Sequence, residues 1–210
     1  MNSRLAGILY IAIMLGLGGC ASMSEDECVM SDWRTIGYED GSMGYSADRI
    51  GSHRKACAKH GVAPDFEAYQ TGRRDGLRQF CQPSRGFSLG SGGGRYNGVC
   101  PSDLEPGFVD AFNTGHKLYN LRSQVNGANS QIRSREAELE KTEEQIRQVQ
   151  ADLISPETST EDRVMLLVDL KDLSERTGEI EAEIVNLIED RAVYEQQLHQ
   201  YEAMIADTSY

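Results

Sequence analysis

The chain has 210 residues, with 33 Asp and Glu, 21 Lys and Arg, and a formal net charge of −12 at pH 7. This length corresponds to one or two domains. Nucleic-acid backbones bind clustered basic side chains, so this acidic balance excludes nucleic acid as an expected partner.

The first 20 residues predict export. Arg4 is followed by an apolar stretch from Leu5 to Leu17, and the small residues Gly18 and Gly19 come next. A basic start, a short apolar core and small residues are typical of a cleaved secretory signal. A membrane-spanning helix needs roughly 20 apolar residues, and this run is shorter. We therefore expect residues 1–19 to be a signal peptide.

Cys20 ends a stretch, Leu17-Gly18-Gly19-Cys20, that looks like a lipobox. In such a motif the cysteine carries diacylglycerol and becomes the first mature residue, and two or more acyl chains give stable anchoring. The motif resembles that of Gram-negative lipoproteins, and Ala21 stands where those retained at the inner membrane have Asp. We therefore expect lipidation at Cys20 and an outer-membrane location facing the periplasm, with residues 20–25 as a tether.

Four further cysteines, Cys28, Cys57, Cys81 and Cys100, all precede residue 101. An even number in an oxidising compartment predicts two disulfides, for which three pairings are possible. The sequence-neighbour pairs Cys28–Cys57 and Cys81–Cys100 are our preferred choice among the three.

Glycine spacing predicts close helix packing in a Gly/Cys-rich domain, residues 26–116. A degenerate repeat places Gly37 before Gly41, Gly72 before Gly76, and Thr114 before Gly115. We expect short helices at about 31–43, 47–60 and 65–81, the last capped by Asp65. Because glycine weakens a helix, pairs four residues apart indicate a face approached by another backbone, in preference to a ligand cradle of backbone amides.

Residues 83–100 are rich in glycine and flanked by two cysteines. This composition argues against one continuous helix, and we expect a small hairpin or an ordered loop there.

One combination of cysteines, glycines and aromatic residues extends through the first half of the chain. Its members are Cys28, Asp32-Trp33, Gly37-Tyr38, Asp40-Gly41, Cys57, Gly61, Pro64-Asp65, Tyr69, Gly72-Arg73, Gly76-Leu77, Phe80-Cys81, Gly86-Phe87, Leu89-Gly90, Tyr96, Gly98 and Cys100-Pro101. With these residues the sequence resembles, over about residues 26–120, a proteobacterial family of envelope lipoproteins defined by a domain of unknown function. The resemblance implies an envelope location and transfers no catalytic residue.

The C-terminal half predicts a long antiparallel helical hairpin, a coiled coil, over residues 117–206. Apolar residues recur every seven positions in two runs separated by Ser155-Pro156, and charged residues flank them. Thr158, Ser159 and Thr160 precede Glu161 and Asp162, which is typical of a new helix N-terminus. The first run is Leu118, Val125, Ile132, Leu139, Ile146 and Leu153, and the second is Leu166, Leu173, Ile180, Leu187, Tyr194 and Tyr201. The fold class is therefore mainly α.

Three groups of residues raise possible chemistry. Gly86-Phe87-Ser88-Leu89-Gly90 matches the nucleophile-elbow pattern, but that motif needs a strand-to-helix turn that this sequence does not predict. His53, Cys57 and His60 share one helix face and could hold zinc, unless a disulfide uses Cys57. Arg73, Arg74 and Arg78 lie in a locally basic segment and could bind an anion. We assign no catalytic residue, no metal and no cofactor.

The expected function is therefore that of a non-enzymatic lipoprotein of structural or partner-binding type, held at the membrane by its N-terminal lipid. The hairpin is expected to bind a protein partner or to self-associate. One alternative is an inhibitor or binding module for a basic envelope protein such as lysozyme, which an acidic surface would complement. A second is a hydrolase using a cleft around Ser88 or around Asp40 and Asp75.

Overall fold

A computed structural model describes residues 23–208, so the predictions for the signal peptide and for Cys20 lie outside the described residues. The described chain is built from helices and contains no strand, which confirms the mainly α class. The helices are α1 Glu25–Met30, α2 Trp33–Ser42, α3 Arg49–Ala58, α4 Phe66–Phe80, α5 Pro83–Ser91, α6 Glu105–Ile154 and α7 Thr160–Ile205. Within residues 23–208, none of these helices has the length and apolar character needed to span a bilayer.

Side-chain caps fix where several helices begin. Ser24 and Glu27 form a reciprocal capping box at α1, and Asp32 accepts a hydrogen bond from the amide of Arg34 at α2. Asp65 caps α4 as expected, and Ser159 caps α7 after the Pro156 turn. Such caps satisfy amide groups that have no partner within the helix.

The chain divides into two compact units. The first contains described residues 23–85 and 96–110, and the second contains 86–95 and 111–208. The domain boundary expected at residue 116 therefore differs from these units, because residues 86–95 group with the C-terminal helices.

The expectation of a hairpin or loop beginning at residue 83 was wrong for its first half. Residues Pro83–Ser91 form helix α5, and only the segment after it is irregular. Gly86 and Gly90 are buried within this helix. Packing of α5 against α6 stabilises the helix enough to offset the low helix propensity of glycine.

The first unit has a small core stapled by disulfides. Cys28 bonds to Cys57, and both sulfur-bearing residues are buried with Trp33 and Tyr69. Cys81 bonds to Cys100, near the packed rings of Phe80, Tyr96 and Phe108. These are the sequence-neighbour pairs preferred above.

Helices α2 and α4 cross with their backbones in contact. A Cβ on Gly37 would lie 2.9 Å from the carbonyl carbon of Tyr69, and one on Gly72 would lie 2.9 Å from the amide nitrogen of Tyr38. Gly37 faces residues 69–73 and Gly41 faces residues 73–77, so the two helices run parallel. Glycines four residues apart thus serve the close helix approach that the repeat predicted.

The same device recurs in the second unit, between α5 and α6. A Cβ on Gly90 would lie 2.7 Å from the amide nitrogen of His116, and one on Gly115 would lie 2.7 Å from that of Ser91. Buried Ala111 stands four residues before Gly115, as Gly86 stands four before Gly90. Small residues at both positions of both helices explain why α5 packs as a helix.

Helices α6 and α7 pair in antiparallel fashion. Ion pairs join Arg122 to Glu202 at 2.8 Å, Arg135 to Glu183 at 2.8 Å, and Glu138 to Arg176 at 2.6 Å. The heptad residues face the partner helix: Leu118, Ile132, Ile180 and Tyr201 are buried, and the others are at least partly covered. The predicted hairpin is therefore present.

Candidate functional site

The most concentrated polar cluster of the first unit surrounds the carboxylate of Asp40. Asp40 lies on α2 and its side chain is only 8% exposed. The Tyr69 hydroxyl on α4 donates a 2.8 Å hydrogen bond to Asp40 Oδ2, and His53 Nε2 on α3 lies 2.8 Å from the same oxygen. Arg49 Nε lies 3.7 Å from Oδ1. One carboxylate therefore connects three helices.

The surroundings of this cluster keep its tyrosine protonated. Tyr69 is fully buried, and its pKa is raised well above the ordinary tyrosine value, first by desolvation and then by its hydrogen bond to Asp40. The rings of Trp33 and Tyr69 both contact the His53 ring edge-on, at centroid distances of 6.3 and 6.1 Å. The imidazole is therefore held in place by a carboxylate and two aromatic neighbours.

The cluster's geometry suits structural support more than catalysis. An Asp–His pair can move protons when the imidazole also reaches a substrate. Here the one oxygen of Asp40 binds both Tyr69 and His53, and the carboxylate joins α2 to α3 and α4. The bonds satisfy a buried charge that would otherwise be costly, which is the usual condition for such a group inside a core.

The three arginines considered for anion binding do not converge. Arg73 is buried, and its guanidinium donates to the carbonyl oxygen of Tyr45 at 2.9 Å. Arg74 is exposed and bonds to Thr71 on its own helix, whereas exposed Arg78 lies 3.7 Å from Asp103. Arg73 therefore belongs to the core side of α4, and the other two lie on its outer side.

Ser88 does not occupy a nucleophile elbow. It is an exposed residue within helix α5, and the flanking Gly86 and Gly90 are buried. Gly90 packs against the backbone of α6 at Phe112 and His116. The literal G-x-S-x-G match therefore reflects helix packing, because the catalytic motif needs a sharp turn between a strand and a helix.

The two aspartates of the Gly-x-x-Asp-Gly repeat have different environments. Asp40 is buried, whereas Asp75 is half exposed and pairs with Arg34 at 3.0 Å. They therefore do not form the carboxylate pair in one cleft that the hydrolase alternative required.

The His53, Cys57 and His60 zinc alternative is also not assembled. Cys57 is bonded to Cys28, and His53 is engaged by Asp40. Among residues 23–208, no group of three or more His, Cys, Asp or Glu side chains has the proximity to hold a metal ion.

A surface groove of about 580 Å³ lies between α3 and the segment that precedes α4. Its apolar walls come from Ile50, Pro64 and Phe66, and Asp48 and Arg54 contribute charge. His53 and Asp40 do not line it, so the groove and the polar cluster are separate features.

A family model described as "Protein of unknown function (DUF2799)" matches residues 32–117. This segment is similar to a domain of unknown function. The DUF2799 match begins at the cap of α2 and ends two residues after Gly115, so it includes the glycine residues of both helix crossings. No curated protein and no solved structure matches the chain. The resemblance over about residues 26–120 is thus confirmed as far as a domain of unknown function.

The sequence does not reveal Asp40, His53 and Tyr69 as one cluster, although it carries two signals. Asp40 lies between paired glycines that must be buried, and His53 lies one turn before Cys57 on the same helix face. Neither signal identifies Tyr69 as the third member, because that contact depends on how α4 packs.

Proposed function

We propose that this protein is an exported lipoprotein, acylated on Cys20, held at the outer membrane and facing the periplasm. The observation that carries the proposal is the pair of disulfides, Cys28–Cys57 and Cys81–Cys100. Disulfides persist in oxidising compartments, and small domains with modest cores use them for stability. This supports export and agrees with the signal-like N-terminus.

We also propose that the protein acts by binding rather than by catalysis. The polar cluster around Asp40 has its groups engaged with one another, which supports a structural role for it. The hairpin of α6 and α7 offers a long acidic surface that carries exposed apolar side chains. Exposed apolar residues of this kind often belong to interaction sites, which supports a partner-binding role.

Metabolic labelling with a palmitate analogue tests the anchoring. We expect the wild-type protein to be labelled and Cys20→Ser to lose the label and leave the membrane fraction. The neighbouring substitution Ser22→Ala should retain both. Label persisting in Cys20→Ser would show that Cys20 is not the acylated residue.

A second candidate is an inhibitor or binding module for a basic envelope protein such as lysozyme. Its support is the charge of α7, which has twelve acidic and four basic side chains. Activity of added lysozyme, measured with increasing amounts of the purified chain at low and high salt, tests it. Inhibition that salt weakens is expected on this candidate, and undiminished lysozyme activity rejects it.

A further inference from the structure

The heptad residues of α7 that face α6 form its inner seam. Helix α7 also carries a second apolar surface, on the side away from that seam. We call it the outer stripe. Its residues share one face of the helix in two apolar patches, and Lys171, Glu175 and Glu181 lie on the same face between them. The outer stripe consists of Val164 (60% exposed), Leu167 (56%), Val168 (54%), Val185 (55%) and Ile188 (41%). Because the inner seam already contacts α6, the outer stripe has no function in closing the hairpin.

The outer stripe is specific to α7. On α6 the exposed large apolar side chains among the described residues are Tyr119, in the first third of the helix, and Ile154, its last residue. The other exposed residues of α6 are polar, charged or small. A general tendency of the hairpin to expose apolar residues would affect both helices, so the difference points to a specific surface.

The middle of the outer stripe permits another helix to approach closely. Gly178 lies two heptads after Val164 and one heptad before Val185, so it shares their face of the helix. No atom lies within 4 Å of the position that a Cβ would take there. A glycine inside a helix costs about 1 kcal/mol relative to alanine. No close packing within the described chain accounts for Gly178, in contrast to the glycines at the helix crossings.

Two carboxylates without an ion-pair partner lie on the same face as the apolar patches. Glu181 has the heptad position of Leu167 and Ile188, Glu189 has that of Val168, and neither forms an ion pair within the described residues. The four basic side chains of α7 are already engaged inside the chain. Arg163 binds backbone carbonyls, Lys171 pairs with Glu175, Arg176 with Glu138, and Arg191 with Glu195.

We propose that the outer stripe binds a basic amphipathic helix of another protein. Apolar residues of that helix, at heptad spacing, would cover the stripe, and its Lys or Arg side chains would face Glu181 and Glu189. This inference rests on the proposed role of the hairpin in partner binding and names the surface and the class of partner.

A second copy of this chain fits the surface less well. If two α7 helices crossed in antiparallel fashion at Gly178, Glu175 of one would face Glu181 of the other, because each lies three residues from the centre. A parallel pair would place Glu181 opposite itself. Like charges directly opposed across an interface are unfavourable, so charge complementarity selects a basic partner.

Titration of the full mature chain as Cys20→Ser with a synthetic peptide tests the proposal without depending on acylation. The probe is a labelled peptide of four heptads, with Leu at both core positions and Lys at the flanking positions. We expect it to bind, and a peptide with Glu in place of Lys not to bind. The pair Glu181→Gln and Glu189→Gln should weaken binding and reduce its salt dependence.

Two double variants distinguish binding at the outer stripe from nonspecific binding to exposed apolar side chains. Val168→Ser with Val185→Ser should raise the Kd about tenfold or more, because it removes apolar surface from the stripe. Val193→Ser with Met204→Ser, at positions that are 50% and 63% exposed but off the stripe, should change it less than about twofold. Circular dichroism checks that both variants fold.

Three results would overturn the proposal. They are absence of binding, equal weakening by both double variants, and a dimer of the chain that only the Val168 and Val185 pair dissociates. The last result would make a second copy the occupant. The palmitate labelling of Cys20 is read separately, so failure of the anchoring proposal is distinguishable from failure of this one.

Discussion

At the scale of single residues, Asp40 is the clearest example of a buried charge that the fold has satisfied. Its Oδ2 atom accepts a hydrogen bond from Tyr69 and lies within bonding distance of His53. The helices that carry these partners are separated in sequence, so the carboxylate links them through contacts that only the tertiary structure supplies. Removing one donor should therefore destabilise the packing of α2, α3 and α4 against one another.

We expect Tyr69→Phe to reduce the free energy of unfolding by about 1–2 kcal/mol, since it leaves Asp40 with one donor fewer in a buried site. The control is Tyr38→Phe, because the Tyr38 side chain is 43% exposed and its change should fall within about 0.5 kcal/mol. Urea denaturation of the three proteins gives the comparison. Equal stability of Tyr69→Phe and wild type would show that the Tyr69 hydroxyl contributes nothing to the cluster.

At the scale of elements, the two helix crossings account for most of the conspicuous glycines. Gly37, Gly41, Gly72 and Gly76 bring α2 and α4 into backbone contact, and Gly90 and Gly115 do so for α5 and α6. Alanine at these positions would separate the helices, whereas alanine at an open glycine would only improve helix propensity.

We expect Gly72→Ala to destabilise the protein by about 1–3 kcal/mol, because the new Cβ would meet the backbone of Arg34 and Tyr38. Gly51→Ala on α3 is the matched control, since nothing lies within 4 Å of its Cβ position. That substitution should be neutral or stabilise by up to about 1 kcal/mol. Thermal unfolding of both variants decides the matter, and a Gly72→Ala variant as stable as Gly51→Ala would contradict the close crossing.

The turn between α6 and α7 is closed by one arginine. Arg163 donates hydrogen bonds to the carbonyl oxygens of Leu153 at 2.8 Å, Ser155 at 2.8 Å and Thr158 at 3.2 Å. The carbonyl of Leu153 lies in the last turn of α6, where acceptors have no partner within the helix, and those of Ser155 and Thr158 lie in the turn that follows. A guanidinium is suited to binding all three because its donors form a rigid fork.

Replacing Arg163 by alanine should cost about 1.5–3 kcal/mol, the usual range for bonds that involve a charged group. Arg147→Ala serves as the control, because Arg147 is exposed and, within residues 23–208, its ion pair is with Glu144 on its own helix. Its effect should stay below about 0.5 kcal/mol. If denaturant unfolding gave the same loss for both variants, the turn would not depend on Arg163.

At the scale of the whole molecule, local sequence patterns predicted the helices correctly where tertiary packing favours the same structure. The heptads gave the hairpin because every seventh residue faces the partner helix, and Asp65 marked the start of α4 because capping is local. Helix α5 was missed because Gly86 and Gly90 have low helix propensity, and only the approach of α6 makes glycine suitable there.

The candidate site was less predictable than the fold for the same reason. The disulfide pairs agree with sequence neighbours, but the cluster of Asp40, His53 and Tyr69 depends on the register between α2 and α4. Arg73 was grouped with Arg74 by sequence, although one turns toward the core and the other toward solvent. Residues adjacent in sequence on a helix point in different directions, so a basic run does not define a surface.

Residues 105–205 form a hairpin on the apolar contact between α6 and α7, which we call the seam, and do not need a partner to order them. Ile180 is fully buried in that seam, whereas Ala182, two residues later on α7, is exposed. The same new residue can therefore be placed in both environments. Thermal unfolding of Ile180→Asp and Ala182→Asp, followed by circular dichroism, compares them directly.

Ile180→Asp should cost several kcal/mol because it buries an unpaired carboxylate, which for a chain of this size lowers the Tm by roughly 2–4 °C for each kcal/mol. Ala182→Asp should cost only about 0.7 kcal/mol, the difference in helix propensity. Equal losses for the two variants would contradict the claim and would mean that α6 and α7 share no buried seam in the isolated protein.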